Sequence, residues 1–166
     1  GRVQRVVSGM LVVEPLARHP QVLRELAAWM RAEWTAWYGP NGPGDAMVDL
    51  QRYAASETRL LVGLVAFRDG ELAGLCALKD DVLPPVPELG PWAGAGLVGP
   101  GFRGQGIGAA LLRAVTELAR SLGWANIYCA TATSRTLLER EGWLALQSAE
   151  LHGTAVTIYV KSLALK

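Results

Sequence analysis

The segment Arg103-Gly104-Gln105-Gly106-Ile107-Gly108 has the residue types and spacing best suited to chemistry in this 166-residue chain. It lies between an apolar stretch, Gly96, Leu97 and Val98, and a run of helical periodicity from Ala109 to Leu122. At a strand-to-helix turn the first backbone N–H groups of the helix lack partners, and the helix dipole adds positive potential. Together these make an anion site. Glycine lets phosphate oxygens approach the backbone closely, and Arg103 brings a charge that can reach them. Four of the eight residues from Gly101 to Gly108 are glycine, which makes the segment entropically costly to order. The alternative is a tight turn that holds no ligand.

The spacing separates the known phosphate loops. No Gly-Lys-Ser/Thr follows, so this is not a P-loop. Gly104, Gly106 and Ala109 fit the looser dinucleotide pattern. That pattern also needs an acidic residue at the end of the next strand, and Ala125 to Ser134 carries none. A nucleotide-binding enzyme of this kind is therefore a distant third reading.

The same residues resemble motif A of the GNAT family of N-acetyltransferases much more closely. Arg103-x-x-Gly106-x-Gly108 is preceded by Val98-x-Pro100 and followed by Ala110-Leu111-Leu112. Leu122-Gly123-Trp124 before one strand and Glu139-Arg140-Glu141-Gly142-Trp143 before another are similar to later landmarks of that family. Pro91-Trp92, Tyr128 and Glu150-Leu151-His152-Gly153 resemble a small bacterial-type branch. The resemblance covers about residues 10–163. It implies one N-acetyltransferase domain over 10–163 behind a short tail, 1–9. Its fold would be α/β, a mixed, mostly antiparallel sheet flanked by helices. The implied cofactor is acetyl-CoA, and the implied acceptor is a primary amine of a small molecule or a peptide N-terminus. By the resemblance, Gln105, Gly106, Ile107, Gly108 and Ala109 cradle the pyrophosphate, with Arg103 and Gly104 at the mouth. The strand edge at Leu97 and Val98 would pair with the pantetheine amides. The Val98 N–H would polarise the thioester carbonyl in the manner of an oxyanion hole.

The chain departs from the family pattern where proton transfer belongs. The family's usual tyrosine is here Leu138, and a common asparagine is here Thr131, which keeps a hydroxyl. No carboxylate lies between Pro91 and Pro100 to act as a base. The catalytic acid and base therefore stay unassigned. Without a base, the reading favours an amine of low pKa, since an α-amino group near 7.7–8.0 is already partly neutral at pH 7. The alternative is a catalytically weak or inactive acyl-CoA-binding module, and Leu138 is its main support. Trp34, Tyr38, Asp81 and Trp92 are candidates for the acceptor side. Trp37 is a further wall candidate, Glu33, Asp80 and Glu88 could, like Asp81, bind a cationic amine or act as base, and a catalytic role for His152 is a minority reading. Helical spacing makes Trp34 and Trp37 more often core than site.

These residues require elements to place them. Met10 to Glu14 reads as a strand. Leu23, Leu26, Met30, Trp34 and Trp37 recur at helical steps after Pro20. Asp45 to Ala55 reads as a second helix. Leu60 to Phe67 and Leu72 to Leu78 form a hairpin at Asp69-Gly70. Three prolines make Asp80 to Gly90 a loop, and Trp92 to Val98 is the strand before the glycine segment. Gly94 and Gly96 there mark either a bulge or a close backbone approach. Ile107 to Leu122 is a helix, Ala125 to Thr131 a strand, and Ser134 to Arg140 a short helix. Trp143 to Ala149 and Thr154 to Ser162 are closing strands. The order is β-α-α-β-β-β-α-β-α-β-β, an α/β layer fold.

Composition sets the outer limits. A chain of 166 residues with 51% hydrophobic content supports one domain with a substantial core. A net charge of +1 gives no general attraction to nucleic acid or anionic membrane. No apolar run reaches the ~18 residues of a membrane span. Cys76 and Cys129 lie in apolar runs without metal-ligand spacing, which suits free thiols in a reducing cytoplasm. The expected metal content is none. The expected partners are the amine substrate and, in a homodimer, a second copy; a monomer is equally compatible.

Overall fold

The computed structural model describes residues 9–164. The N-terminal tail expected over 1–9 therefore lies outside the described residues except for Gly9. Strand β1, Leu11–Pro15, pairs antiparallel with β2, Val62–Arg68. Strand β3, Glu71–Lys79, follows β2 through Asp69 and Gly70, both at positive φ (52° and 84°). That two-residue turn matches the twist of the flanking strands, as the Asp-Gly pair predicts. Strand β4, Trp92–Val98, pairs antiparallel with β3. Strands β5, Asn126–Thr131, β6, Leu144–Leu151, and β7, Thr154–Ser162, complete one seven-stranded sheet in the order β1-β2-β3-β4-β5-β7-β6. Only β4 and β5 run parallel.

Helices cover both faces. On one side lie α1, Leu23–Glu33, the four-residue α2, Thr35–Tyr38, and α3, Ala46–Tyr53. Leu26, Met30 and Leu50 are fully buried there, against Leu75 and Ala77 of the sheet. On the other side α4, Ile107–Ser121, presses Ile107, Leu111 and Val115 onto the sheet, and the short α5, Arg135–Arg140, adds Leu138. Gly74 permits this close packing. A Cβ there would stand 2.9 Å from Leu111 Cδ1 and 2.8 Å from the Leu97 carbonyl oxygen.

One element differs from expectation. The first helical run is not continuous to Trp37. It breaks at Trp34 (φ −121°, ψ 57°) and restarts as α2. The Thr35 hydroxyl donates to the Arg31 carbonyl oxygen at 2.9 Å, a local bond that competes with continued helix. The observed order thus gains one short helix between α1 and α3.

Candidate active site

Parallel strands β4 and β5 meet at a single register pair, Trp92 with Tyr128, and then diverge. Strand β4 is bent at this point. Ala77 faces Gly94 and Leu75 faces Leu97, so one extra residue of β4 is looped out. Ala95 takes φ 53°, unusual for a residue with a side chain. Gly94 and Gly96 thus flank a β-bulge, which re-aims the strand and ends its pairing. The result is a cleft of about 690 Å³ whose walls include Gly96, Val98, Cys129, Thr131 and Leu138.

The strand edge facing this cleft is set by register. Gly99 N–H donates to the Ala73 carbonyl at 2.8 Å, on the β3 side. Successive residues of a strand point their polar groups to opposite sides. Val98 therefore turns its N–H and C=O away from β3, toward the opening. Leu97 turns its own toward β3 and is buried, so of the expected pair only Val98 offers the cleft its backbone.

The glycine segment meets the cleft at Gly108. Gly104 and Gly106 hold φ of 78° and 79°, backbone that side chains rarely adopt. Gly106 is the N-cap of α4 and brings no side-chain oxygen to it. From Arg103 through Ala109, no backbone N–H meets an acceptor among the described residues; the first bonded amide is Ala110, to the Gly106 carbonyl. The first turn of this 15-residue helix therefore has donors with no protein acceptor among the described residues, an arrangement that suits an anion. Gly108 plays another part. A Cβ there would find ordinary contact, 3.6 Å from Leu137 and 3.7 Å from Val98, at the cleft wall.

Arg103 is placed differently from expectation. Its guanidinium reaches back to Glu33 at 2.9 Å and to the Val98 carbonyl oxygen at 3.4 Å. It bridges the loop to α1 and is not a free phosphate ligand in this conformation. Thr131 also has structural duties. Its hydroxyl oxygen accepts the N–H of Thr133 at 3.2 Å and of Ser134 at 2.8 Å, fixing the turn into α5. Its remaining hydroxyl hydrogen is the one it can offer the cleft.

At the other end Trp34 and Tyr38, two of the acceptor-side candidates, line the cleft. Tyr38 donates to Asp49 at 2.6 Å, and burial with this bond pushes its phenol well above the ordinary value. Trp92 is a correction. It is 4% exposed and packs with Val86, Ile158 and Tyr128 instead of lining the cleft. Its position at the one β4–β5 pair draws it into the core under the Asp80–Gly90 loop. Asp81 does not line the cleft either; it reaches it through Lys79, at 3.0 Å.

Tyr53, Lys79, Cys76 and Cys129 line the cleft without having been singled out in the sequence, and His152, weighed there for a catalytic role, lines it as well. Burial opposes the Lys79 ammonium, but Tyr53 and Asp81 outweigh it and hold its pKa above the ordinary value. Burial raises both thiols to about 12, so each stays protonated near neutral pH. His152, at φ 50° in the β6–β7 turn, brings its ring to 4.9 Å from that of Trp37, bridging the hairpin tip to α2. A lone lysine ending the buried run Leu72–Leu78 was the available sign for Lys79. The others depend on tertiary placement.

A backbone anion cradle beside a splayed parallel strand pair is the architecture implied by the resemblance in motif A. The sequence profile of the Acetyltransferase (GNAT) family matches residues 23–140. This chain belongs to the GNAT acetyltransferase family. Solved GNAT structures share its fold. A GNAT-family acetyltransferase from Streptococcus pneumoniae is 20% identical with a TM-score of 0.67, over 93% of this chain and 100% of that one. The protein yncA from Salmonella typhimurium, solved with its cofactor acetyl-CoA, is 15% identical with a TM-score of 0.73, over 95% and 96%. An aminoglycoside 6'-N-acetyltransferase complexed with coenzyme A is 13% identical with a TM-score of 0.73, over 93% and 98%. No curated protein sequence matches the chain. Within this GNAT fold Leu138 is 1% exposed and packs in the core while also touching the cleft. No helix of the described residues is long and apolar enough to cross a membrane.

Proposed function

We propose that the protein transfers an acetyl group from acetyl-CoA to a primary amine of a small molecule or a peptide N-terminus. The observation that carries this reading is the run of N–H groups from Arg103 to Ala109 with no acceptor among the described residues, which meets the cleft at Gly108, near Val98 on its wall. The run would take the cofactor's pyrophosphate. The Val98 N–H would face the thioester carbonyl, where charge develops as the amine attacks. The amine attacks directly. Cys76 and Cys129 are held as thiols by burial, and a thiol is a far poorer nucleophile than a thiolate, so an acetyl-cysteine intermediate is disfavoured. No carboxylate lines the cleft among the described residues, which favours an acceptor amine that is already partly neutral. The two free thiols, Cys76 buried and Cys129 half-buried, suit a reducing cytoplasm.

A second reading has Leu138 behind it. With a buried leucine in the position of the family's usual tyrosine, the chain would bind acyl-CoA with little or no turnover. Two experiments separate the readings. In the first, acetyl-CoA raises the melting temperature while NAD and ATP do not; ligand at ~100 Kd contributes about 2.7 kcal/mol. A flat response at millimolar acetyl-CoA overturns both. In the second, free thiol is followed with a panel of amines. Amine-dependent release supports transfer, and binding without release supports the module.

A further inference from the structure

The acceptor end of the cleft has an unusual charge pattern for a site that takes an amine. Trp34, Tyr38 and Tyr53 give it aromatic walls. Among the described residues it has no lining carboxylate, and Lys79 is its one ammonium. The lysine is held firmly. Its stem lies over Gly94, where a Cβ would come to 2.8 Å from Lys79 Cδ, so the glycine keeps its path clear. Its Nζ stands 5.9 Å from the centre of the Tyr53 ring and 3.0 Å from Asp81 Oδ2. An ammonium has three donors, and Asp81 occupies one. Asp81 offsets part of the Lys79 charge, and the remaining donors of the ammonium stay open to an anionic group on the acceptor.

We infer that the acceptor is amino acid-like: its amine is accompanied by a small anionic group that Lys79 receives. This rests on the acetyl-transfer reading above. Lys79 faces Trp92 in the sheet register, and its stem runs over Gly94, which also lines the cleft. The aromatic walls suit an apolar side chain. The same positive charge lowers the pKa of a neighbouring amine and so favours its neutral, attacking form without a dedicated base.

Calorimetric titration of the CoA-loaded protein tests this without requiring turnover. The probes are glycine, L-methionine and L-phenylalanine, each against its carboxamide, and the aminophosphonate analogue of L-phenylalanine. Each acid is expected to bind at least tenfold more tightly than its amide. The phosphonate arm shows whether the site takes a dianion as well as a carboxylate. Lys79→Gln is expected to abolish the preference while CoA still binds, and Lys79→Arg to restore part of it. Acids and amides that bind equally to the wild type, or a preference that survives Lys79→Gln, overturn the inference. Loss of CoA binding by the wild type would instead count against the acetyl-transfer reading itself.

Discussion

Gly106 and Gly108 carry the clearest consequences of single residues, and they act differently. Gly106 sits at φ 79°, so a β-branched side chain there strains the backbone by about 1–2 kcal/mol and misdirects the free amides. Gly108 has room for a Cβ, but the room belongs to the cleft. Gly108→Val is therefore expected to keep the wild-type melting temperature within a degree or two while weakening CoA at least tenfold. Gly106→Val is expected to lose both stability and binding. Thermal melts with parallel calorimetry check the pair, and normal binding by a folded Gly108→Val shows that the wall is not used. Leu138 is the third case. It was the residue whose type disagreed with the family pattern, and its burial gives a packing reason for it. Leu138→Tyr must overpack that core, at a cost of about 1–3 kcal/mol. The expected result is a lower melting temperature with no gain in turnover per folded molecule. A rate increase would show that the new hydroxyl reaches the leaving sulfur.

The elements were largely legible, because periodicity and turn residues report local physics. Asp69-Gly70 announced a hairpin and adopts paired positive φ, as does His152-Gly153 in the β6–β7 turn. The extra break at Trp34 was not legible, since periodicity alone continues through it. The bulge at Ala95 was one of two readings of Gly94 and Gly96, and the register of β3 decides for it. Arg103 shows the limit of motif reasoning. Its place in the pattern suggested a phosphate ligand, but its ion pair with Glu33 depends on how α1 packs. Another ion pair joins α4 to the end of α5. Arg113 Nε and Nη2 donate to the two oxygens of Glu141 at 2.6 and 2.8 Å, and this bond holds the carboxyl below its ordinary 4.5. A group whose folded pKa is lowered stabilises at pH above its unfolded value, and that contribution fades as pH falls through the folded value. Arg113→Ala is thus expected to lower the melting temperature at pH 7, with the deficit shrinking below roughly pH 4. The arginine is well exposed, so added salt reduces the deficit. A deficit that is constant from pH 7 to pH 3 would assign the effect to lost packing of the side chain.

At the scale of the whole molecule, the sheet does two jobs. Its packed part, β1 to β3 between α1, α3 and α4, fixes the position of β4 and of the α4 N-terminus. Its one parallel junction comes apart after a single pair and leaves the cleft. The glycine segment was readable because spaced glycines at a strand-to-helix turn are a local signal. The other end of the cleft was readable only in part, because Tyr53 and Lys79 come from distant segments that only the folded sheet brings together. The account stands on the backbone amides of the glycine segment being the phosphate cradle. The most direct measurement is a titration of 15N-labelled protein with coenzyme A, following amide shifts in two-dimensional NMR spectra. The largest changes are expected at Arg103 to Ala109 and at Val98, with His152 and Trp37 little affected. Shifts centred elsewhere, or none at millimolar coenzyme A, would contradict it.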